Sequence, residues 1–140
     1  MGTILCATRG GEGSQTTHDQ ALALAQERGE ELVFLFVVDI SFLSQMAAPI
    51  VVDVESRLEM MGQFQLALIQ ERAAAQGMQV QTMVRRGRLR PELVAAAREL
   101  DAELIVLGRP ARQTAVFEED TLQVFARGLQ AETGIEVRIV

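Results

Sequence analysis

Met78–Gly108, MQVQTMVRRGRLRPELVAAARELDAELIVLG, decides the fold. Its first part, Met78–Val84, alternates Val80, Thr82 and Val84 with polar residues, the pattern of a strand near a sheet edge. Pro91 then stands where a helix can open, in a first turn that needs no N–H from it. Leu93, Val94, Ala97 and Leu100 follow at helical spacing. Leu104–Leu107, LIVL, is an uninterrupted apolar run of the kind buried on both faces of a parallel sheet, and Gly108 closes it. Strand, helix and strand in this order form a βαβ unit, whose crossover is right-handed.

The same alternation extends in both directions. Towards the N-terminus, Thr3–Thr8 reads as a buried strand and Arg9–Gly13 as a glycine-rich turn. A helix is predicted from Ser14 to about Arg28, with Leu22 and Ala25 inward and Gly29 as its stop. Leu32–Val38, LVFLFVV, is a second fully buried strand. Ile40–Val54 reads as irregular, broken by Pro49. The next helix is predicted over about Asp53–Gln76, with Leu58, Met61, Phe64 and Leu68 marking one face and Gly77 ending it. Towards the C-terminus, a polar loop leads to a helix from Glu118 to about Ala131 and a last strand, Ile135–Val140. Five strands separated by four helices predict an α/β three-layer sandwich, a parallel sheet with helices on both faces, in a single domain spanning residues 1–140.

Composition narrows the chemistry. The chain has 140 residues, enough to bury roughly 70% of its unfolded surface around one core. All thirteen of its basic residues are arginine; lysine, asparagine, tryptophan and tyrosine are absent. Without a lysine amine, Schiff-base, pyridoxal-phosphate and P-loop chemistries are excluded. Joint loss of Lys and Asn also fits a GC-rich codon bias. A net charge of −6 argues against nucleic-acid binding, and no apolar run approaches membrane-spanning length. Cys6, the one cysteine, lies in an apolar strand and reads as a core residue. His18, the one histidine, has no neighbouring ligand in sequence and reads as exposed or half-buried, with no metal site implied. Ser14 reads as a helix cap rather than a nucleophile. No signal-peptide pattern precedes the first strand, so a reducing cytoplasm is expected.

Ligands of such sheets bind beyond the carboxyl ends of the strands, where strand order reverses. Several arginines stand at those ends: Arg9 after the first strand, Arg109 and Arg112 after the fourth, and Arg85, Arg86, Arg88 and Arg90 after the third. They either pair with nearby acids such as Glu118 and Glu119 or present guanidinium forks to a phosphate or carboxylate.

The glycine-rich turn after strand one, Val37-Val38-Asp39 closing strand two, and above all Val84–Gly108 resemble the universal stress protein family. In that block a strand, a glycine and a Pro-started helix precede Asp-x-x-x-Ile-Val-x-Gly, here Asp101, Ile105, Val106 and Gly108. The resemblance covers essentially the whole chain. It implies a sheet order of 3-2-1-4-5, a crevice between strands one and four, and a homodimer formed through the last strand. Its ATP-binding members close strand one with Asp and follow strand four with Gly-x2-Gly-x9-Gly and Ser or Thr. This chain keeps Gly108 alone of these: Arg9 replaces the Asp, Ala111 stands at the second glycine, and Thr121 and Leu122 take the final pair. Glu118, Glu119 and Asp120, opening the last helix, suit its dipole but repel phosphate. The residues facing the crevice on this resemblance are Arg9, Gly10, Val38, Asp39, Gly108, Arg109, Ala111, Arg112 and Thr121.

Two other folds of this pattern are set aside. Gly10-Gly11-x-Gly13 departs from the dinucleotide spacing G-x-G-x-x-G, and 140 residues leave no room for a catalytic domain. A phosphoreceiver domain needs acids where Arg9 and Arg85 stand, and a lysine. The expected function is a non-enzymatic stress-response or regulatory module, dimeric, with protein partners that the sequence does not name. Neither nucleic acid nor membrane is an expected partner, and no cofactor is expected. The alternative is a nucleotide- or anion-binding switch in the crevice, with ATP or AMP as ligand and slow ATP hydrolysis.

Overall fold

In a sheet covered on both sides, period-two alternation sends neighbouring side chains into different cores. The computed structural model describes residues 2–8, 15–39, 48–109 and 116–140, without the side chains of 48–52 and 116–120. Its strands are β1 (Thr3–Ala7), β2 (Glu31–Val38), β3 (Gln81–Arg86), β4 (Ala102–Leu107) and β5 (Glu136–Ile139). Its helices are α1 (Gln15–Arg28), α2 (Ala48–Ala75), α3 (Leu89–Glu99) and α4 (Val116–Thr133). Ile4 and Cys6 of β1 join Phe34 of β2 and Leu22, Leu66 and Ile69 of α1 and α2 in one core. Leu5 between them faces the other, with Val33, Ile105, Leu93 and Leu129 under α3 and α4. The architecture is thus the expected α/β three-layer sandwich.

All strand pairs are parallel, in the order β3-β2-β1-β4-β5. The chain moves from β1 outward to β3. It then crosses by α3 to the far side of β1, where β4 pairs Ile105 with Leu5. This reversal opens the switch point between β1 and β4, where sheets of this class receive ligands. β3 is an edge strand, as its alternation predicts.

The block that set the fold owes its residue types to backbone geometry. Gly87, between β3 and α3, has φ +141°, a conformation essentially restricted to glycine, and donates its N–H to the Val38 carbonyl at 3.0 Å. Pro91 falls in the first turn of α3. Asp101 follows the C-cap of α3 at φ +53° and donates its amide to the Arg98 carbonyl, the left-handed helix stop that Asp tolerates better than most residues.

α2 differs from its expectation in two ways. It begins at Ala48 rather than Asp53, with Pro49 accommodated in its first turn. Of the expected inward stripe, only Leu58 packs on the core. Met61, Phe64 and Leu68 are exposed, while Leu66, Ile69 and Ala73 are buried. The helix carries apolar residues around much of its circumference, so spacing alone does not select the face that meets the sheet. Gly62 lies on the buried side; a Cβ there would overlap the Phe36 ring, so glycine lets α2 lie close against β2.

Candidate functional site

The candidate site is the crevice at the carboxyl ends of β1 and β4. Its described floor is formed by Thr8, which follows β1, by Gly108 and Arg109, which follow β4, and by the first turns of α1. Thr8 continues the sheet pairing, donating its amide to the Leu35 carbonyl at 2.8 Å. Its hydroxyl lies 2.6 Å from Nε2 of His18, and both residues are buried. The imidazole meets the Phe34 ring edge-on, with centroids 5.3 Å apart. Burial lowers the His18 pKa to about 4, with Arg72 adding to the fall and Asp19 opposing it. At neutral pH the ring is therefore uncharged and serves as a hydrogen-bonding core residue. Among the described residues, no group of three His, Cys, Asp or Glu side chains could hold a metal ion.

Gly108 faces Thr17 of α1. A Cβ on Gly108 would overlap the Thr17 hydroxyl and reach its Cβ and Cγ2 at 3.0 Å. The glycine is needed here because α1 packs this close to the end of β4. Val38 and Asp39 sit at the end of β2, on the other side of β1 from Gly108. Val38 is buried, and Asp39 Oδ2 accepts the amide of Leu89, the first residue of α3, at 3.0 Å. Asp39 thus helps satisfy a helix N-terminus whose own N-cap, Arg88, makes no side-chain capping bond.

Arg109 turns towards β5. Its amide donates to the Val140 carbonyl at 3.0 Å, and its Nη1 donates to the Ile139 carbonyl at 3.4 Å. Thr121 is exposed, within α4. Arg9, Gly10, Ala111 and Arg112 lie outside the described residues, as do the acidic side chains that open α4. Arg85 and Arg86, expected to follow the third strand, instead lie within β3, which runs from Gln81 to Arg86 rather than over Met78–Val84, and with Arg90 they largely serve the fold. Arg85 bonds Glu92 at 2.9 Å and Glu99 at 2.7 Å, tying β3 to α3. Arg86 pairs with Glu55 and Glu59 of α2, and Arg90 with Glu132 of α4.

Sequence reasoning missed Thr8 and Thr17 and placed His18 too near the solvent. The available signal was positional: Thr17 and His18 precede Ala21, Leu22 and Ala25 at helical spacing, on the buried stripe of α1. Elsewhere, Cys6 is wholly buried and its thiol is pushed up to about 12, removing thiolate chemistry at neutral pH. A cavity of about 380 Å³ lies at the opposite end of the sheet, lined by Glu31, Gln70, Gln79 and Gln81 among others, away from the crevice. No described helix is long and apolar enough to cross a membrane.

Comparison with known proteins matches this geometry. The sequence model of the universal stress protein family matches residues 1–116. A crystal structure of a universal stress protein family member from Burkholderia pseudomallei is similar, with 25% identity and a TM-score of 0.74 over 99% of this chain and 94% of that one. Universal stress protein UspA from Lactobacillus plantarum superposes with a TM-score of 0.82 at 16% identity, over 99% and 97% of the two chains. A universal stress protein in complex with cAMP superposes with a TM-score of 0.72 at 20% identity, over 99% and 96%. Among curated proteins, no sequence matches the chain. With the family matched over residues 1–116 and the sheet order in place, the chain belongs to the universal stress protein family.

Proposed function

We propose that this chain is a non-enzymatic regulatory module of stress response that acts as a single domain and a homodimer, without holding ATP in a glycine-rich phosphate loop. The observation that carries the reading is the packing at Gly108. A phosphate cradle needs small residues so that backbone N–H groups can approach the ligand. At Gly108 the space beside the missing Cβ is filled by Thr17. The Thr8 hydroxyl, at the end of β1, is engaged by His18. Arg9 and Ala111, where ATP-binding members place Asp and Gly, support the same reading from sequence. This packing supports a reading without the phosphate-loop mode, and no catalytic step is assigned to ATP.

Dimerisation through β5 is supported by its position. It pairs with β4 on one side and forms the sheet edge on the other, which in a free chain is open to strand addition. The amide of Val137 donates to the side chain of Gln130 at 3.2 Å, partly covering that edge. A cytoplasmic setting and protein partners belong to the same proposal.

A second reading, a monophosphate switch, is favoured by the similar folds solved in complex with cAMP and with dAMP. One titration separates the two. ATP, AMP, cAMP and inorganic phosphate are injected into the wild-type chain and into Arg109→Ala, after checking the purified protein for absorbance at 260 nm. Lacking Trp and Tyr, the chain contributes little of its own. The proposal expects no retained nucleotide and no heat with ATP. Heat with AMP or cAMP alone, lost in Arg109→Ala, would select the switch. Tight ATP binding would overturn both the proposal and its explanation at Gly108.

A further inference from the structure

α2 carries a second apolar face that nothing in the chain covers among the described residues. Met60 is 70% exposed, Met61 47%, Phe64 63% and Leu68 39%. At 3.6 residues per turn these side chains cluster around the direction of Phe64, opposite the buried Gly62, Leu66, Ile69 and Ala73. Met61, Phe64 and Leu68 have the three-and-four spacing of a helix-pairing seam.

The charges on this face identify the partner. Arg57 lies two turns before Phe64, Glu71 lies two turns after it, and both project in nearly the same direction as the ring. If two copies of α2 pack antiparallel about a two-fold axis at Phe64, Phe64 meets its own copy. Met60 then falls opposite Leu68, and Arg57 falls opposite Glu71 at both ends. A parallel pairing would instead set Arg57 against Arg57 and Glu71 against Glu71. The other charges near this stretch are already engaged within the chain: Glu55 and Glu59 by Arg86, and Arg72 by Asp19. Among the described residues, Arg57 pairs with Asp53 at 3.1 Å in an exposed pair of adjacent turns that is readily exchanged. Self-complementarity of one patch under two-fold rotation is what an isologous interface requires.

We propose that the outward face of α2 is a self-association surface, at which a second copy of this chain packs its own α2 antiparallel across Phe64. The contact spans about four helical turns, or roughly 20 Å, so it belongs with the smaller interfaces and its population depends on concentration. It lies on the outer side of the layer formed by α1 and α2, separate from the edge strand β5. One chain would then carry two different two-fold surfaces.

The test uses light scattering across a concentration series, first on Val137→Pro. That substitution removes an amide bonded to Gln130 rather than to β4, so it obstructs strand addition at the edge while sparing the ladder. The Val137→Pro chain should still associate, and adding Phe64→Glu should leave only monomer. Arg57→Glu and Glu71→Arg should each weaken association about fivefold, consistent with two rim ion pairs. The double variant should recover it. Phe64→Glu in the otherwise wild-type chain repeats the test with β5 intact and should lower the average mass there too. A mass unaffected by Phe64→Glu in that chain overturns the proposal, as does a double variant no stronger than the single ones. Loss of association by Val137→Pro with no effect of Phe64→Glu would instead leave β5 as the dimer surface.

Discussion

At the residue scale, His18 shows how burial redirects a titratable group. Its folded pKa of about 4 lies below the ordinary 6.5 because the buried imidazole disfavours charge. Between these values the unfolded chain binds a proton that the folded chain does not, so stability falls as pH drops from 6.5 towards 4. Above 6.5 the group contributes no pH dependence. The full effect is about 3 kcal/mol, from 1.36 kcal/mol per pKa unit. His18→Gln keeps a hydrogen-bonding group near Thr8 but removes the titration. Urea unfolding should therefore show a smaller loss of stability in acid for this variant than for wild type. An equal loss in both would show that His18 does not titrate as described. The sequence identified this residue as structural yet did not reveal its burial. Its partner Thr8 stands ten positions away and meets it only when α1 folds back onto the end of β1.

At the element scale, the start and stop of α3 followed local chemistry, whereas the start of α2 and its facing direction did not. The stop of α3 at Asp101 and its turn at Gly87 are local conformational demands, legible in order along the chain. The inward face of α2 was not legible, because Met61, Phe64 and Leu68 satisfy the same periodicity as Leu66, Ile69 and Ala73. Close approach at Gly62 and Phe36 fixes which set turns inward. Asp39 links two elements in a way its own strand gives no hint of. Its carboxylate accepts from Leu89, a residue fifty positions further along, at the start of α3. Asp39→Ala should cost about 1 kcal/mol, the usual value of a lost cap, while Asp39→Asn should retain most of it. Chemical denaturation reads both. A neutral Asp39→Ala would show that this carboxylate does not stabilise the start of α3.

At the scale of the whole molecule, stability should follow sheet order. β1 is paired on both sides by β2 and β4 and packed against both cores, whereas β3 and β5 are edges. Native-state hydrogen exchange should find the slowest amides in β1, β2 and β4, with β3 and β5 opening first. Protection in β5 that rises with protein concentration would support pairing through that edge. Slow exchange in β3 combined with fast exchange in β1 would contradict the order of cooperative units drawn from this topology.

The sequence by itself determined the alternation of strands and helices and the parallel sheet, because these rest on period, turn chemistry and short-range backbone demands, and its Val84–Gly108 motif carried the resemblance to the family. It also marked the missing lysine and the altered glycine motif, since composition and spacing need no coordinates. Only the tertiary structure decided what those residues touch. It turned Arg109 towards β5, set Thr17 against Gly108, engaged Arg85 and Arg86 with carboxylates and left the Phe64 face of α2 outward. Each of these outcomes depends on contacts between elements distant in sequence. Local propensity is nearly degenerate there, and packing breaks the tie.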